Sequence, residues 1–336
     1  MLSEAKHLWI DFKRFFAMFR MTIIRSPLKK LVEVSRKIMS QNKPAEHFTC
    51  QAAANMSQAN GSMDYFPEPT GYGQLPADEK GRRTILVTND DGYQAGGIQA
   101  LVESLRGLGR IVVCAPDGPR SGFSASFTCT QPVTLRRLSD DGDVLLYACS
   151  GTPVDCVKLA MHRFFSEKAP DLIVSGINHG GNDSICIMYS GTMGAVLEGC
   201  VIGIPAVGFS LLDHRHTADF TAAKPITRQV VAQLLEHPMP YGVGLNINIP
   251  ATPELKGIRV CRQADGYWHK EFHYVEGNEN EDVATFQVTG EYMSREGDHT
   301  DTDRYWLERD YVAVVPVGVD YTHHKHLPTF KYLENT

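Results

Sequence analysis

The sequence predicts an α/β chain: a doubly wound, mostly parallel sheet flanked by helices, followed by a β-rich C-terminal extension. Three observations carry this. Short apolar runs such as Ile85-Leu86-Val87 recur between stretches of helical spacing, the alternation that a parallel sheet with crossover helices requires. The first of these runs is apolar throughout, as strands covered on both faces are. After Pro250 the pattern changes to brief extended runs joined by polar loops. With 336 residues, 43% of them hydrophobic, the chain is long enough for a sizeable core.

The elements follow in order. Residues 84–88 form the first strand, which breaks at Asn89-Asp90-Asp91-Gly92. Ile98, Leu101, Val102, Leu105 and Leu108 recur at helical spacing and Gly109 supplies a stop. A second strand over 110–115 ends in Pro116-Asp117, shortly before Arg120-Ser121-Gly122. Extended runs at 132–138 and 144–149 flank Ser139-Asp140-Asp141-Gly142-Asp143, a hairpin turn signal. Thr152-Pro153-Val154-Asp155 opens a helix. Thr152 caps, Pro153 takes the first helical position and Asp155 sits where a capping-box acid belongs. This role suits Asp155 better than catalysis.

A third strand over 172–174 leads into Ser175-Gly176-Ile177-Asn178-His179-Gly180-Gly181-Asn182. Tyr189-Ser190-Gly191-Thr192-Met193-Gly194 enters a further helix, in which Glu198 fits a structural ion pair. Strands over 204–210 and 243–249, with a helix carrying Ile226, Val230, Val231, Leu234 and Leu235 between them, complete the sheet. In the extension, 258–261, 285–289 and 311–316 read as strands.

The first eighty residues differ from the rest. Residues 1–39 are basic, with Leu8, Trp9, Phe12, Phe15, Phe16, Met18 and Phe19 clustered in one part. An amphipathic membrane-surface or targeting helix is one reading. Asp11, Lys13 and Arg14 interrupt the apolar stretch, so it is not a clean secretory signal. Residues 40–83 read as a polar linker. The other reading is that 1–80 is not part of the functional protein, with Met39, Met56 and Met63 as later starts. The division expected is therefore 1–80 extension and linker, 84–250 core, 251–322 β-rich arm and 323–336 tail.

Composition excludes several classes. A formal charge of −6 argues against a nucleic-acid surface, which needs a basic stripe. The eight cysteines form no C-x-x-C pair, so zinc-ribbon and redox readings have little support. Buried thiols in a reducing compartment, hence the cytoplasm, are the simpler expectation. No run of about 18 apolar residues exists, so no spanning helix is expected. No G-x-G-x-x-G follows the first strand, which disfavours a dinucleotide-binding dehydrogenase. His214 and His216 in one loop, and His323, His324 and His326 in the tail, read as solvated histidines.

Adjacent Asp90 and Asp91 at a strand end are the most informative pair. They repel unless something positive sits between them, and a hard divalent cation is suited to oxygen donors. An ordinary Asp-Asp-Gly turn is the alternative, and Asp140-Asp141-Gly142 shows the same tripeptide without such company. Three strand ends deliver Asp90 and Asp91, Ser121 and Asn178, all with short oxygen-bearing side chains. The small residues at 190–194 let a backbone approach a ligand, and a helix N-terminus suits a phosphate.

At this point the chain resembles the SurE family of metal-dependent 5′/3′-nucleotidases, also called survival-protein acid phosphatases. The resemblance rests on VTNDDG at 87–92, AP at 115–116, RS at 120–121, SGTP and DCVKLA within 150–160, and DLIVSGIN at 171–178. SGT at 190–192, EG at 198–199, LNINIP at 245–250 and YVAVVPVGVDYT at 311–322 continue it. The resemblance implies a Rossmann-like core with a C-terminal oligomerisation arm and assembly as a homodimer or homotetramer. It implies one divalent ion, Mg²⁺ or Mn²⁺, held by Asp90, Asp91, Ser121 and Asn178. Asp90 or Asp91 would act in catalysis, and Asn89, Gly92, Ser190, Gly191 and Thr192 would surround the phosphate of a nucleoside monophosphate. Asn182 stands after two glycines, a departure from the family's pattern on the phosphate side, while Tyr189 precedes Ser190, where the family often has a histidine or tyrosine. Hydrolysis of short polyphosphates and a non-catalytic nucleotide- or metal-binding module are the alternatives. An aspartyl-phosphate route ranks lower, because Gly92 stands where the dehalogenase-type phosphatases carry a second aspartate.

Overall fold

The structure, a computed structural model, describes residues 81–277, 283–297 and 299–335. The expectations for residues 1–80 lie outside the described residues. The elements in chain order are β1 (Thr84–Thr88), α1 (Gly96–Leu105), β2 (Arg110–Pro116), β3 (Leu135–Asp140), β4 (Val144–Cys149), α2 (Pro153–Phe164) and β5 (Leu172–His179). A short 3₁₀ helix (Ser184–Tyr189) precedes α3 (Gly191–Ile202), β6 (Ala206–Leu211), α4 (Ala223–Glu236) and β7 (Val243–Ile249). The chain continues through β8 (Ile258–Val260), β9 (Gly266–His269), β10 (Phe272–Glu276), β11 (Thr285–Val288), β12 (Glu291–Ser294), α5 (Asp303–Leu307) and β13 (Val312–Gly318), ending in a 3₁₀ helix (His324–Asn335).

Nine strands form the main sheet in the order β3-β4-β2-β1-β5-β6-β7-β13-β8. β1 pairs in parallel with β2 on one side and with β5 on the other. The strand order reverses between β1 and β5, and in open α/β sheets that switch point opens a crevice at the carboxyl ends. Alternate side chains of the strands feed two cores. Ile85, Val87, Ile111, Val113 and Val174 pack with Ile98, Leu101 and Leu105 of α1 and Val230, Val231 and Leu235 of α4. Leu86, Val112 and Ile173 pack with Val157, Met161 and Phe164 of α2 and Met193 and Val196 of α3.

Several boundaries differ from the sequence reading. The first helix ends at Leu105, and Gly107, with φ +83°, turns the chain in place of Gly109. β3 covers 135–140 and so starts later than the run at 132–138. It still pairs antiparallel with β4 across the Asp-Asp-Gly turn. β5 runs on through Ser175 to His179, so Asn178 lies within a strand rather than in the loop after one. The sheet also continues past residue 250. β13 lies antiparallel beside β7 and β8 lies parallel to β13, because Val312, Ala313, Val314 and Val315 are apolar and buried. The antiparallel pairs β10–β11 and β9–β12 lie outside that sheet. Among the described residues no helix is long and apolar enough to cross a membrane.

Candidate metal and phosphate site

β1 carries Thr88, Asn89 and Asp90 to its end with little or no exposure. Asn89 closes the turn by donating Nδ2 to the Gly92 carbonyl at 3.0 Å. Its Oδ1 is buried without a partner among the described residues, and such an atom is costly unless something meets it. The loop after β2 is tied to the same place, since the Arg120 N–H donates to the Asp90 carbonyl at 2.6 Å. Ser121, an exposed residue, follows directly on that tied position. The Arg120 guanidinium is used elsewhere, on Asp117 at 2.9 Å and the Ser150 carbonyl at 3.0 Å.

From β5, Asn178 donates Nδ2 to the Gly180 carbonyl at 2.8 Å, which leaves Oδ1 for coordination. The His179 N–H donates to Oδ2 of Asp91 at 3.1 Å. The His179 ring turns away, with Nδ1 3.0 Å from the Arg215 carbonyl and the ring against Phe220. From α3, the Thr192 hydroxyl donates to Oδ1 of Asp90 at 2.5 Å. Ser190 is the N-cap, accepting the Met193 N–H at 3.1 Å. Gly191 presses on Asp90 so closely that a Cβ there would lie 2.7 Å from the Asp90 Cβ. The structure thus brings Asp90 against Gly191 and Thr192, and Asp91 against the His179 backbone next to Asn178; Ser190 caps the same helix start, Asn89 and Gly92 form the turn, and Ser121 follows the tied Arg120.

Burial pushes Asp90 up to about 6, the charge of Asp91 adds to this, and the Thr192 hydroxyl opposes it. Asp91 is also raised by burial, against the His179 N–H and the charges of His179 and His216. Two neighbouring carboxylates that both resist ionisation form a site lacking positive charge. Two carboxylates, a hydroxyl and a carboxamide make an all-oxygen set, and the orphaned Asn89 Oδ1 lies on the same turn. This donor chemistry fits a hard divalent cation. Among the described residues no three or more His, Cys, Asp or Glu gather where they could hold a metal, so the two carboxylates would need the hydroxyl and carboxamide oxygens to complete a ligand set.

Other residues fall where the sequence reading put them. Thr152 and Asp155 form a reciprocal capping box. Glu198 pairs with Lys158 at 2.6 Å. Asn182 does not face the pair: its N–H donates to Asn248 and its amide to Ser210, at 2.7 and 2.8 Å. His214 and His216 are exposed loop residues, yet His214 packs so tightly on Gly180 that a Cβ there would lie 2.2 Å from its Nδ1. With the charge of His216 acting on Asp91, this loop borders the site rather than standing in free solvent. Sequence reasoning missed the Thr192–Asp90 bond and the Arg120 tie, for which no local pattern exists.

A family model described as "Survival protein SurE" matches residues 85–270. The chain belongs to the SurE family. The 5′-nucleotidase SurE of Phocaeicola vulgatus is 44% identical over 247 residues, covering 73% of this chain and 94% of that protein. The 5′-nucleotidase SurE of Bacteroides fragilis is 45% identical over 256 residues, covering 76% and 99%. The crystal structure of the SurE protein from Aquifex aeolicus matches with a TM-score of 0.65 at 36% identity, covering 75% of this chain and 99% of that one. The SurE resemblance read from the motifs and the α/β fold with a mostly parallel sheet are both borne out.

Proposed function

We propose that this SurE-family chain is a metal-dependent 5′-nucleotidase that hydrolyses nucleoside monophosphates to nucleoside and phosphate. The observation that carries this is the contact of the α3 N-terminus with the buried Asp90, next to the half-buried Asp91. One ligand there meets an all-oxygen cation site and a helix dipole together, as a phosphate monoester with its metal requires. The SurE relatives at 44% and 45% identity carry the name 5′-nucleotidase.

Asp90, Asp91, Ser121 and Asn178 would hold one Mg²⁺ or Mn²⁺. When bound, such an ion neutralises phosphate charge and makes water a better nucleophile. The chain's own residues do the rest. Asp90 is locked by Thr192 and buried, so it serves as a fixed anchor. Asp91 is half-buried and is the carboxylate suited to orient an attacking water and take its proton. Backbone amides at Gly92 and Gly191 and the Ser190 hydroxyl would meet the phosphoryl oxygens as charge moves to the leaving oxygen, with the turn at Asn89 and Thr192, whose hydroxyl proton goes to Asp90, beside them.

The oligomer expected is a homodimer or homotetramer, with Phe272, Tyr274 and Phe286 exposed on the β10–β11 pair as its contact. The cytoplasm is the matching compartment for the free thiols Cys114, Cys149, Cys156 and Cys200, all buried. The test is phosphate release from 5′-AMP, 3′-AMP, GMP and tripolyphosphate under Mn²⁺ and Mg²⁺. Fastest turnover of 5′-monophosphates is expected. Preference for tripolyphosphate would move the assignment to polyphosphate hydrolysis, and no release with any metal would reduce the chain to a binding module.

A further inference from the structure

The connection from β5 to α3 carries Ser190, yet it is pinned from far along the chain. Asp303, fully buried at the start of α5, accepts the Ser184 N–H on Oδ2 at 2.8 Å, 119 positions away in sequence. Its Oδ1 accepts the N–H groups of Ala264 and Arg304, at 2.9 and 2.8 Å. Ser184 itself has φ +50°, a conformation that a non-glycine residue keeps only when its surroundings over-determine it. Its hydroxyl supplies more of that hold, donating to the Ala264 carbonyl at 2.9 Å and lying 2.7 Å from the Tyr292 hydroxyl. One residue earlier, Asp183 pairs with Arg304 at 2.9 Å, and that guanidinium stacks 3.9 Å over the Tyr292 ring.

This clamp lies a single 3₁₀ helix away from the phosphate side of the site. Ser184–Tyr189 runs directly into the Ser190 cap, with Ile187 buried and its carbonyl accepting the Ser190 N–H at 3.3 Å. The segment is held at both ends, so the position of Ser184 is passed to Ser190 and Gly191. We propose that Asp303 is a positioning residue for the phosphate subsite: by fixing Ser184 in its left-handed turn it sets where the Ser190 cap of α3 meets the substrate phosphate, while the Thr192–Asp90 bond within the site stays as it is. This rests on the nucleotidase reading above. Asp303 itself is outside the reacting atoms. Burial pushes its carboxyl up and the charge of Asp183 adds to this, while the three backbone N–H groups oppose it. Ala264 and Tyr292 belong to the segment bearing β9 and β12, so a shift of that segment is felt at the phosphate.

The test uses the full chain with Mn²⁺, inorganic phosphate as the binding probe and AMP as substrate. Asp303→Asn replaces one acceptor oxygen by an amide that must face an N–H. Ser184→Ala removes the hydroxyl contacts and keeps Asp303. Leaving a buried backbone donor unmatched should raise KM for AMP and the phosphate Kd roughly tenfold in Asp303→Asn, and loss of the hydroxyl contacts should raise both roughly threefold in Ser184→Ala. Mn²⁺ affinity, read by calorimetry, should stay within about twofold, because the ligand carboxylates do not contact the clamp. A purely structural role would lower kcat with the folded fraction and leave KM and phosphate affinity unmoved, and that result overturns the proposal. If Asp303→Asn does not fold, Ser184→Ala decides on the same readouts. A wild-type chain that binds phosphate without hydrolysing AMP would sink the nucleotidase reading, while the phosphate affinities would still decide this one.

Discussion

The hydroxyl of Thr192 donates to Oδ1 of Asp90 at 2.5 Å across 102 positions of sequence, with both residues buried. A hydrogen bond to a carboxylate is stronger than one between neutral groups. This one fixes the Asp90 side chain and favours its ionised form against the burial that opposes it.

Thr192→Val keeps the shape and removes the donor. A buried charged acceptor left unmet costs about 1–3 kcal/mol. The expected result is Mn²⁺ affinity and kcat/KM down by about tenfold to a hundredfold, with Thr192→Ser near wild type. Calorimetry and steady-state kinetics check it, and a fully active valine variant would show that the bond does not matter.

Asp90→Asn and Asp91→Asn should each abolish turnover, by at least about a hundredfold, because each removes charge from the cation site. The fold should persist, and the metal-free variants should melt no lower than wild type, since one member of a repelling pair is gone. Near-normal rates at saturating Mn²⁺ in both variants would refute the site.

Asp90 titrates at about 6 in the metal-free fold against an ordinary 3.8. Between about pH 4 and pH 6 the folded chain therefore holds a proton that the unfolded chain has lost, and stability falls as pH rises through that window. The shift corresponds to about 3 kcal/mol at most. With EDTA present, the wild-type Tm relative to Asp90→Asn should drop between about pH 4 and pH 6. Saturating Mn²⁺ should abolish the drop, because metal competes with the proton. A wild-type Tm that climbs relative to the variant over this range would contradict the shift.

Asn178→Ala should weaken Mn²⁺ binding and lower turnover more than His179→Ala. The Asn178 oxygen is the proposed ligand end, with Nδ2 given to Gly180, while His179 serves Asp91 through its backbone N–H, which alanine retains. Metal titrations of the two variants, with activity at each metal level, decide it. A larger loss for His179→Ala would reassign the ring to the site.

Much of the fold around the candidate site was legible because its residues come in local patterns. Apolar runs marked β1, β2 and β7, the turn residues 89–92 marked a strand end, and Thr152 with Asp155 announced a helix start by spacing alone. What was not legible depends on residues distant in sequence. β5 continues past Ser175-Gly176, where the apolar run stops. Gly176, at φ +120°, is needed there because a Cβ would lie 2.3 Å from the Phe209 carbonyl of the neighbouring strand, a requirement invisible until β6 is in place. The antiparallel placing of β13, with Val314 opposite Ile247, and the grip of Asp303 on Ser184 are likewise set by tertiary packing, which sequence periodicity does not encode.

The position of β13 has a consequence for biosynthesis. β7 carries Asn246 and Asn248 and gains its second neighbour only from Val312–Gly318. On the ribosome, β7 therefore waits as an uncovered strand edge while residues 250–311 are made, and uncovered edges recruit other chains. Chains truncated before residue 312 should accumulate as aggregates or chaperone clients rather than as a smaller soluble enzyme, even though every proposed catalytic group has already been synthesised.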